Sequence, residues 1–268
     1  MFALFRSMEW RERDGVRWLE ADLGGAGVAF ATRLGGVSEP PFDALNLGLL
    51  TDDEPAAAAA NRSRLAAALA LAPERIAFAR QVHGAELETH ANPPFRCSLA
   101  VHGTAKEQRN TEIPEADGHV LTVPGTAALV FVADCLPVAL RGPGGVAMLH
   151  CGWRGLAAGI VARGAEAVGA TEAAIGPGIG ACCYEVGDEV LGAFAPLGEG
   201  VSAGRMLDLP EVARRLLAAA GVARVQSAGL CTSCEAELFF SHRRDAGRTG
   251  RQAGVAWLGE RGEAQWPA

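Results

Sequence analysis

The chain has 268 residues, of which 24 are Lys or Arg and 31 are Asp or Glu, so its formal net charge is −7 at pH 7. An acidic chain of this size is a poor match for a nucleic-acid coat or for a protein that binds anionic membranes. Hydrophobic residues make up 49% of the sequence, which is enough to bury a core, and the length predicts one domain over residues 1–268.

The sequence contains no stretch of about 18 uncharged apolar residues, so it predicts no membrane-spanning helix. The longest apolar stretch, residues 118–133, lies between Asp117 and Asp134 and contains Pro124. Residues 1–6 lack the long apolar region of a secretory signal. We therefore expect a cytoplasmic protein that is a monomer or a weak dimer.

The predicted elements, taken in chain order, combine many short strands with few helices. Residues 52–71 predict a helix, because acidic residues and Pro55 precede an alanine-rich run. Further helices are predicted over residues 155–168, 185–194 and 209–220, and strands over 27–32, 76–82, 118–122, 127–133, 136–140, 146–151, 171–175, 225–228 and 254–258. Most strands follow one another without a helix between them. The pattern therefore favours the α/β class, with a mixed β-sheet flanked by helices.

We assign no function to two features of the composition, the single lysine and the number of cysteines. Lys106 is the only lysine, and its polar tract, residues 101–115, is interpreted as an insertion or a disordered loop. Seven cysteines in a chain of this length do not indicate a disulfide scaffold in a reducing compartment. Cys231 and Cys234 form a CxxC pair, which we interpret as incidental thiols because no second CxxC accompanies it.

Two of the six histidines and one cysteine lie at predicted strand ends, where polar chemistry collects in α/β folds. His83 follows the strand 76–82, Cys135 lies between two strands, and His150 lies near the end of the strand 146–151. A thiolate and two imidazoles with one open position form the pattern of a catalytic zinc site, which activates water. The gaps of 52 and 15 residues carry no local ligand signature, so spacing alone does not decide.

The same residues allow two other interpretations. Cys135 could act as a nucleophile with His150 as its base, which describes a metal-free cysteine hydrolase or deamidase. Alternatively, two imidazoles and a thiolate with Met148 as a weak axial ligand would suit copper. A multicopper oxidase needs roughly ten histidines as copper ligands. The six present cannot supply them.

Several turns carry groups that favour an anionic or nucleoside-like ligand. Arg33 follows the first predicted strand, Arg154 lies at a predicted helix start, and glycines are concentrated over residues 176–180. Guanidinium and backbone N–H groups at such turns bind phosphate. Each signal is weak alone, because glycine-rich turns are commonly structural and loop arginines are commonly solvated.

Taken together, these segments resemble the bacterial laccase-domain family, also called the polyphenol oxidase or YfiH-like family, across nearly the whole chain. The matching segments are residues 32–38 (TRLGGVS), 45–48 (LNLG), 81–84 (QVHG), 133–137 (ADCLP), 150–156 (HCGWRGL), 175–177 (IGP), 182–186 (CCYEV) and 239–245 (FFSHRRD). The resemblance implies an α/β/α fold with a mixed sheet, and a zinc ion bound by His83, Cys135 and His150. It also implies phosphorolysis of the purine nucleosides adenosine, inosine and methylthioadenosine, with deamination of adenosine as a companion activity.

For this activity we expect the remaining site residues to act on the nucleoside and on phosphate. Arg33 and Arg154 would orient phosphate for attack on the ribose C1′. Asp134 would position a reacting group or carry a proton, and Asn46 and Gln81 would form hydrogen bonds with the ligand. No nucleic-acid or membrane partner is expected.

The resemblance also leaves alternatives open. Copper is the alternative metal. The bacterial cytotoxic necrotizing factor deamidases look like remote relatives that share a cysteine and a histidine fifteen residues apart, which keeps the hydrolase interpretation in place. This chain departs from the family at Cys151, where the family usually has alanine, and at Cys234, where it usually has no cysteine.

Overall fold

The computed structural model describes residues 8–91, 98–99 and 113–259, and most of the tract 101–115 lies outside them. The strands of the described residues form two mixed six-stranded sheets and a small two-stranded sheet. In spatial order, the first sheet contains β1 (Glu9–Arg13), β2 (Val16–Leu23), β3 (Ala26–Ala31), β14 (Gln252–Leu258), β7 (Ala127–Val132) and β4 (Ile76–Ala77). The second contains β13 (Arg224–Ser227), β10 (Glu172–Ile175), β8 (Leu136–Gly142), β9 (Gly145–Cys151), β6 (Gly118–Leu121) and β5 (Leu87–His90). The small sheet pairs β11 (Ser202–Ala203) with β12 (Met206–Leu207).

Helices cover the outer faces of the two large sheets. They are α1 (Pro55–Ala68), α2 (Trp153–Ala157), α3 (Ile160–Val168), α4 (Asp188–Phe194) and α5 (Leu209–Ala219), with short 3-10 helices at Pro73–Arg75 and Ala195–Leu197. Leu65 of α1 packs on the first sheet, whereas Ile160 of α3 and Leu217 of α5 pack on the second. In the described residues, no helix is both long enough and apolar enough to cross a membrane.

The inner faces of the two sheets pack against each other and form the central core. Phe30 and Val130 of the first sheet share one buried cluster with Met148 and Ala174 of the second. Every residue of β9 is buried, because helices cover one face of this strand and the first sheet covers the other. Two covered faces explain why this strand reads as a continuous apolar run in the sequence.

The predicted fold class is confirmed, since the structure is α/β with mixed sheets flanked by helices. The structure has four layers, in the order helix, sheet, sheet, helix. The sequence predicts three layers, with one sheet between two layers of helices. An apolar strand buried on both faces does not reveal whether a helix or another sheet covers it. The strands therefore divide into two sheets without a signal in their sequences.

The remaining differences from the predicted elements have local causes. The helix predicted over residues 155–168 is divided at Gly159, which has a φ of +87°. The predicted strand 76–82 pairs only at Ile76–Ala77. The sequence analysis predicts no strand before residue 27, but β1 and β2 are present there. Strand β1 lies at a sheet edge and is largely exposed, so its charged residues show no apolar alternation.

We expect Phe30→Ala to lower the free energy of unfolding by about 3–5 kcal/mol, because removal of a buried aromatic ring leaves a cavity. The Phe30 side chain is 1% exposed and packs against Gly176, which directly follows β10 of the second sheet. Phe30 therefore connects the two sheets. Val37→Ala is the control, since Val37 is 45% exposed and its loss should cost about 0.5 kcal/mol or less. Urea unfolding measures both values, and equal losses would contradict a packed core between the sheets.

Candidate functional site

The three residues predicted to bind a metal meet at one end of the second sheet. The side-chain donor atoms of His83, Cys135 and His150, here called the His–Cys–His set, all lie within 4.8 Å of one another. The two imidazole rings are 4.8 Å apart, centroid to centroid, in an edge-on arrangement. Both imidazoles form hydrogen bonds with the Cys135 thiol. The structure therefore brings together residues that are 52 and 15 positions apart in the sequence.

A hairpin explains the shorter of these separations. Strands β8 and β9 pair so that Leu136 faces Cys151 and Pro137 faces His150. Cys135 directly precedes β8, so the returning strand places His150 beside it. The thiol and the imidazole therefore meet because the chain turns back on itself between Gly142 and Gly145.

Asp117 holds the two histidines of the His–Cys–His set in place, and it is not among the site residues predicted from the sequence. Its Oδ1 lies 2.7 Å from His150 Nδ1 and accepts a hydrogen bond of 2.9 Å from the His83 backbone N–H. Its Oδ2 accepts hydrogen bonds from the backbone N–H groups of Val82 and Gly84, at 3.0 and 2.7 Å. Burial raises the pKa of Asp117, but the hydrogen bonds from His150 and the backbone more than offset burial and lower it. The carboxylate thus fixes both histidines.

One sequence signal could have pointed to Asp117. It directly precedes the apolar strand β6, and a carboxylate at such a buried position needs partners. Strand β6 pairs with β9, and His150 donates its backbone N–H to the Asp117 carbonyl at 2.7 Å. His83 has a positive φ of 61°, an uncommon conformation for a residue other than glycine. The hydrogen bonds to Asp117 hold this conformation in place.

The charges within the set favour a thiolate. Burial raises the pKa of Cys135, but interactions with His150 and His83 more than offset burial and bring it below its usual value. Burial likewise lowers the pKa of His150, but the Cys135 thiolate and Asp117 raise it above its usual value. A thiolate is the form of cysteine that binds a metal and that acts as a nucleophile.

The donor chemistry fits a metal of the zinc or copper type. Thiolate and imidazole bind both metals. Metal-binding histidines usually give their second ring nitrogen to a carboxylate, as His150 does to Asp117. Three protein ligands leave a coordination position open, as catalytic zinc sites require.

Gly152 lies against the set at a point where no side chain fits. A Cβ atom at this position would be 2.9 Å from Cys135 Sγ and 3.2 Å from His83 Cδ2. The glycine therefore allows the start of α2 to approach the set closely.

The His–Cys–His set lines a cleft of about 520 Å³ that is rich in arginine. Five arginines line it: Arg62, Arg80, Arg154, Arg243 and Arg251. Asp134 is the one acidic residue among the described lining residues. Of the five arginines, Arg80 alone forms a salt bridge within the described residues, with Glu115. The cleft therefore carries positive charge that carboxylates largely leave unneutralised.

Arg62 and Arg251 are held by the same loop, residues 46–51. Arg62 donates through Nε to the Leu47 carbonyl at 2.8 Å, and Leu47 N–H donates to the Arg251 carbonyl at 2.9 Å. The Arg62 side chain is buried between the rings of Phe78 and Phe131, and its NH1 group has no hydrogen-bond partner in the described residues. Burial lowers the pKa of Arg62 to about 9, so the group stays charged at neutral pH.

The structure does not bring Arg33 or Asn46 to the wall of the cleft. Arg33 donates to the Asp43 carbonyl and carboxylate and to the Ala236 carbonyl, and it lies over the Phe240 ring. Asn46 is fully buried. Its Oδ1 accepts from the backbone N–H groups of Gly48 and Arg251, so it shapes the loop that carries the cleft arginines.

Asp134, Gln81 and Arg154 do line the cleft, but two of them already have partners. Asp134 accepts hydrogen bonds from the Thr232 hydroxyl and the Arg243 backbone N–H, both at 2.7 Å. The Gln81 amide pairs with the backbone N–H and carbonyl of Phe131. Arg154 is exposed and lies over the ring of Trp153, which leaves its guanidinium N–H groups accessible.

The glycine-rich turn 176–180 also has partners for its backbone donors. The N–H groups of Gly176, Gly178 and Ile179 donate to the carbonyls of Pro137, Leu230 and Asp134. Gly180 N–H donates to Cys231 Sγ at 3.3 Å. The turn therefore joins two loops, and these four N–H groups are not directed at an anion.

A two-sheet α/β fold with a thiolate–imidazole set at the end of one sheet defines the class of this chain. It belongs to the family described as "multi-copper polyphenol oxidoreductase laccase", whose model matches residues 27–259. The chain is 36% identical to "Purine nucleoside phosphorylase YlmD" of Geobacillus stearothermophilus over 94% of this chain and 97% of that protein. It is 40% identical to a protein of Deinococcus radiodurans named purine nucleoside phosphorylase, over 88% of this chain and 92% of that protein.

Solved structures agree with this family and fold. The crystal structure of YlmD from Geobacillus stearothermophilus superposes with a TM-score of 0.79 at 35% identity, covering 93% of this chain and 98% of that one. The hypothetical protein YfiH of Bacillus licheniformis gives the same TM-score at 32% identity, with the same coverage. The predicted family is confirmed.

We expect Asp117→Asn to weaken zinc binding at the His–Cys–His set about 10–100-fold, because the carboxylate orients His150. An asparagine NH₂ group also cannot accept the backbone N–H groups that Asp117 now accepts. The control is Asp188→Asn, whose side chain is 90% exposed. Competition with a chromogenic chelator measures the affinity, and an unchanged dissociation constant would show that Asp117 does not support the set.

Proposed function

We propose that the chain is a purine nucleoside phosphorylase that depends on zinc held by the His–Cys–His set. Its reaction joins inorganic phosphate to the ribose C1′ of inosine, adenosine or methylthioadenosine and releases the free base. The observation that carries this proposal is the combination of an open thiolate–imidazole set with a cleft lined by five arginines. The names of the relatives agree with it.

The arginines support phosphate as the second substrate. Guanidinium groups bind phosphate oxygens in pairs of hydrogen bonds, and burial strengthens such bonds. Arg62 is the strongest candidate, since its buried NH1 group has no partner in the described part of the chain and its charge persists at neutral pH. Arg251 is held by the same loop, with its NH1 group donating to the Thr249 and Gly250 carbonyls, and the exposed Arg154 presents its guanidinium group at the start of α2. We assign phosphate binding to these three residues, in place of Arg33.

Aromatic side chains support a nucleobase as the other part of the ligand. Tyr184 and Trp153 both line the cleft and give it aromatic surface, with Arg243 lying over the Tyr184 ring and Arg154 over the Trp153 ring. Burial raises the pKa of Tyr184 to about 12, so its hydroxyl stays neutral and can donate a hydrogen bond to the ligand. Gln81 lines the same wall, but its amide pairs with Phe131, so we assign it a positioning role.

The bond changes follow from this arrangement. A phosphate oxygen forms a bond to C1′ while the bond from C1′ to the purine nitrogen breaks, and its electron pair leaves with the base, which then takes up a proton. The arginines hold the phosphate next to C1′ and spread its charge. Asp134 is a positioning residue in this scheme, because both its carboxylate oxygens already accept hydrogen bonds that fix the backbone beside Cys135.

The metal has a defined place in the proposal. His83, Cys135 and His150 would hold it, and zinc bound there would supply Lewis acidity and activate water. Water activation beside a purine is also what deamination of adenosine requires, so the same site supports that companion activity. The side chains that line the cleft would contribute to both reactions by orienting the nucleoside beside the His–Cys–His set.

Arg62→Met should raise the KM for phosphate about 10–100-fold, because a hydrogen bond to a charged group contributes about 1.5–3 kcal/mol. The KM for inosine should change little. Arg64→Met is the matched control, since Arg64 lies on the same helix and is exposed. Steady-state kinetics at varied phosphate concentration provide the measurement, together with the melting temperature of each variant. An unchanged phosphate KM in a folded Arg62→Met protein would remove Arg62 from the phosphate site.

The zinc-loaded protein should release hypoxanthine from inosine only when phosphate is present. Cys135→Ser should lose the zinc ion of the His–Cys–His set and slow this release by about 100-fold or more, because a metal Lewis acid contributes several kcal/mol. Cys151→Ala, the next thiol along β9, should keep both zinc and activity. Absence of hypoxanthine release from the zinc-loaded wild type would refute the phosphorylase proposal. Full zinc content in Cys135→Ser would refute the ligand assignment.

A metal-free cysteine hydrolase is the second candidate function. It is favoured by the chain of hydrogen bonds from Cys135 to His150 and from His150 to Asp117, which is the order of nucleophile, base and orienting carboxylate in a catalytic triad. Chelation separates the two candidates. The hydrolase would keep its activity in chelator and lose it on alkylation of Cys135, whereas the phosphorylase would lose its activity in chelator.

Copper would define a third function, as the family description suggests. Met148, which the copper alternative would need as an axial ligand, is instead a core residue, fully buried between the two sheets with its sulfur beside Gly254. Elemental analysis of protein purified without added metal distinguishes zinc from copper. The charged cleft supports the phosphorylase over the oxidation of a neutral phenol.

A further inference from the structure

A second group of metal-binding side chains lies outside the His–Cys–His set. It consists of four cysteines, here called the four-cysteine cluster: Cys182, Cys183, Cys231 and Cys234. All four sulfur atoms lie within 4.8 Å of one another. Cys234 Sγ is 3.4 Å from Cys182 Sγ and 3.5 Å from Cys183 Sγ. From the sequence, Cys231 and Cys234 are interpreted as incidental thiols because no second CxxC pair accompanies them. The fold brings Cys182 and Cys183 to them as the second pair.

These distances fit one tetrahedral metal ion. A zinc–sulfur bond of about 2.3 Å in tetrahedral geometry places neighbouring sulfur atoms about 3.8 Å apart. The Cys234 sulfur lies 3.4 and 3.5 Å from two of its neighbours, close to that value, and all four sulfur atoms lie within 4.8 Å of one another. All four cysteines are free thiols in the structure. Four thiol groups so close together in one place would repel one another once ionised, unless a cation joins them.

The backbone around the four-cysteine cluster is arranged to hold thiolates. Gly180 N–H points at Cys231 Sγ, at 3.3 Å, and N–H groups of Ser233 and Cys234 also donate to this sulfur. N–H groups directed at sulfur stabilise its negative charge, as they do in Cys-x-x-Cys metal loops.

Two loops that are far apart in the sequence meet at the cluster. Gly178 and Cys231 form a parallel bridge, and Thr232 N–H donates to the Gly178 carbonyl at 3.0 Å. Within the second loop, Arg244 donates to the Thr232 carbonyl at 3.0 Å. The sulfur atoms are therefore placed by backbone pairing between the two loops, rather than by chance contacts of surface side chains.

We propose that the four-cysteine cluster binds one structural zinc ion, distinct from the metal of the His–Cys–His set. Four thiolates fill a tetrahedral zinc site and leave no position for substrate or water, which is the pattern of structural zinc. Soft sulfur ligands also select zinc over magnesium or calcium. This proposal rests on the geometry of the cluster and does not depend on the proposed phosphorylase activity.

The position of the cluster gives the ion a structural role in the cleft wall. Tyr184, which lines the cleft, directly follows Cys183. Thr232, which lies between the two cysteines of the second loop, donates its hydroxyl to Asp134, next to Cys135. A metal ion that joins the two loops would therefore hold both Tyr184 and Asp134 in place.

Elemental analysis and native mass spectrometry of four proteins test the proposal. We expect about two zinc ions per chain in the wild type after loading under reducing conditions, and about one in either Cys135→Ser or the double variant Cys182→Ser/Cys234→Ser. We expect none in the triple variant. A Cys135→Ser protein that binds no zinc ion in excess metal, or a double variant that keeps the wild-type content, would overturn the proposal.

Two measurements on Cys135→Ser protein alone keep the test independent of how the double variant folds. Cobalt loading should give the visible spectrum of tetrahedral Co²⁺ with four thiolates, and chelation should then expose four further thiols to a thiol reagent and lower the melting temperature. A disulfide within the cluster under reducing conditions, detected as a mass two hydrogens lower without metal, would overturn the proposal. So would a cobalt spectrum without thiolate character.

Discussion

The arrangement of the candidate site depends on the hydrogen bonds of one carboxylate. Asp117 accepts from the His150 ring and from three successive backbone N–H groups, those of Val82, His83 and Gly84. A carboxylate with no exposed surface is costly unless such partners satisfy it, so folding of the core and assembly of the site are one event. The same bonds hold His83 at a positive φ and leave His150 with one ring nitrogen for Cys135. The second sheet thus specifies both the position and the chemistry of the set.

The sequence predicts the parts of this site that local structure brings together. Cys135 directly precedes β8, and His150 lies near the end of β9, which pairs with β8 in one hairpin. Two strands of seven residues with a tight turn account for their fifteen-residue separation. Helix α1 and most strands of the two sheets are predicted for the same reason, because apolar periodicity and turn residues are local signals. His83 is different: its place depends on Asp117, which lies 34 positions away. The position of His83 after a predicted strand makes it a candidate, but spacing alone does not join it to the other two, and the resemblance to a family does.

The sequence predicts only one of the five arginines that line the cleft, Arg154. Arg62 lies on an alanine-rich helix together with the exposed Arg64, where guanidinium groups suggest a solvated face, and it is buried only because the loop 46–51 and two phenylalanine rings cover it. Arg33 and Asn46 lie in segments that match the family, but a matching segment does not reveal which side of the wall a side chain occupies. Both stabilise the loops behind the cleft. The division into two sheets was hidden in the same way, because burial on two faces looks alike whether a helix or a sheet provides the cover.

The charge of the cleft bears directly on the contrast between the family's description and the names of its relatives. Electron transfer from a phenol to copper needs a chain of imidazole ligands but no fixed cations around the substrate, and six histidines are too few for a multicopper centre. Phosphorolysis places a doubly charged phosphate beside the nucleoside, so it needs several fixed cations. Arg62 is buried without a carboxylate partner in the described residues, and the desolvation of its charge lowers the stability of the fold. Binding of an anion would offset this loss of stability, which is consistent with retention of the group at a functional site. The arginines therefore distinguish the two chemistries more sharply than the metal ligands, which suit zinc and copper alike.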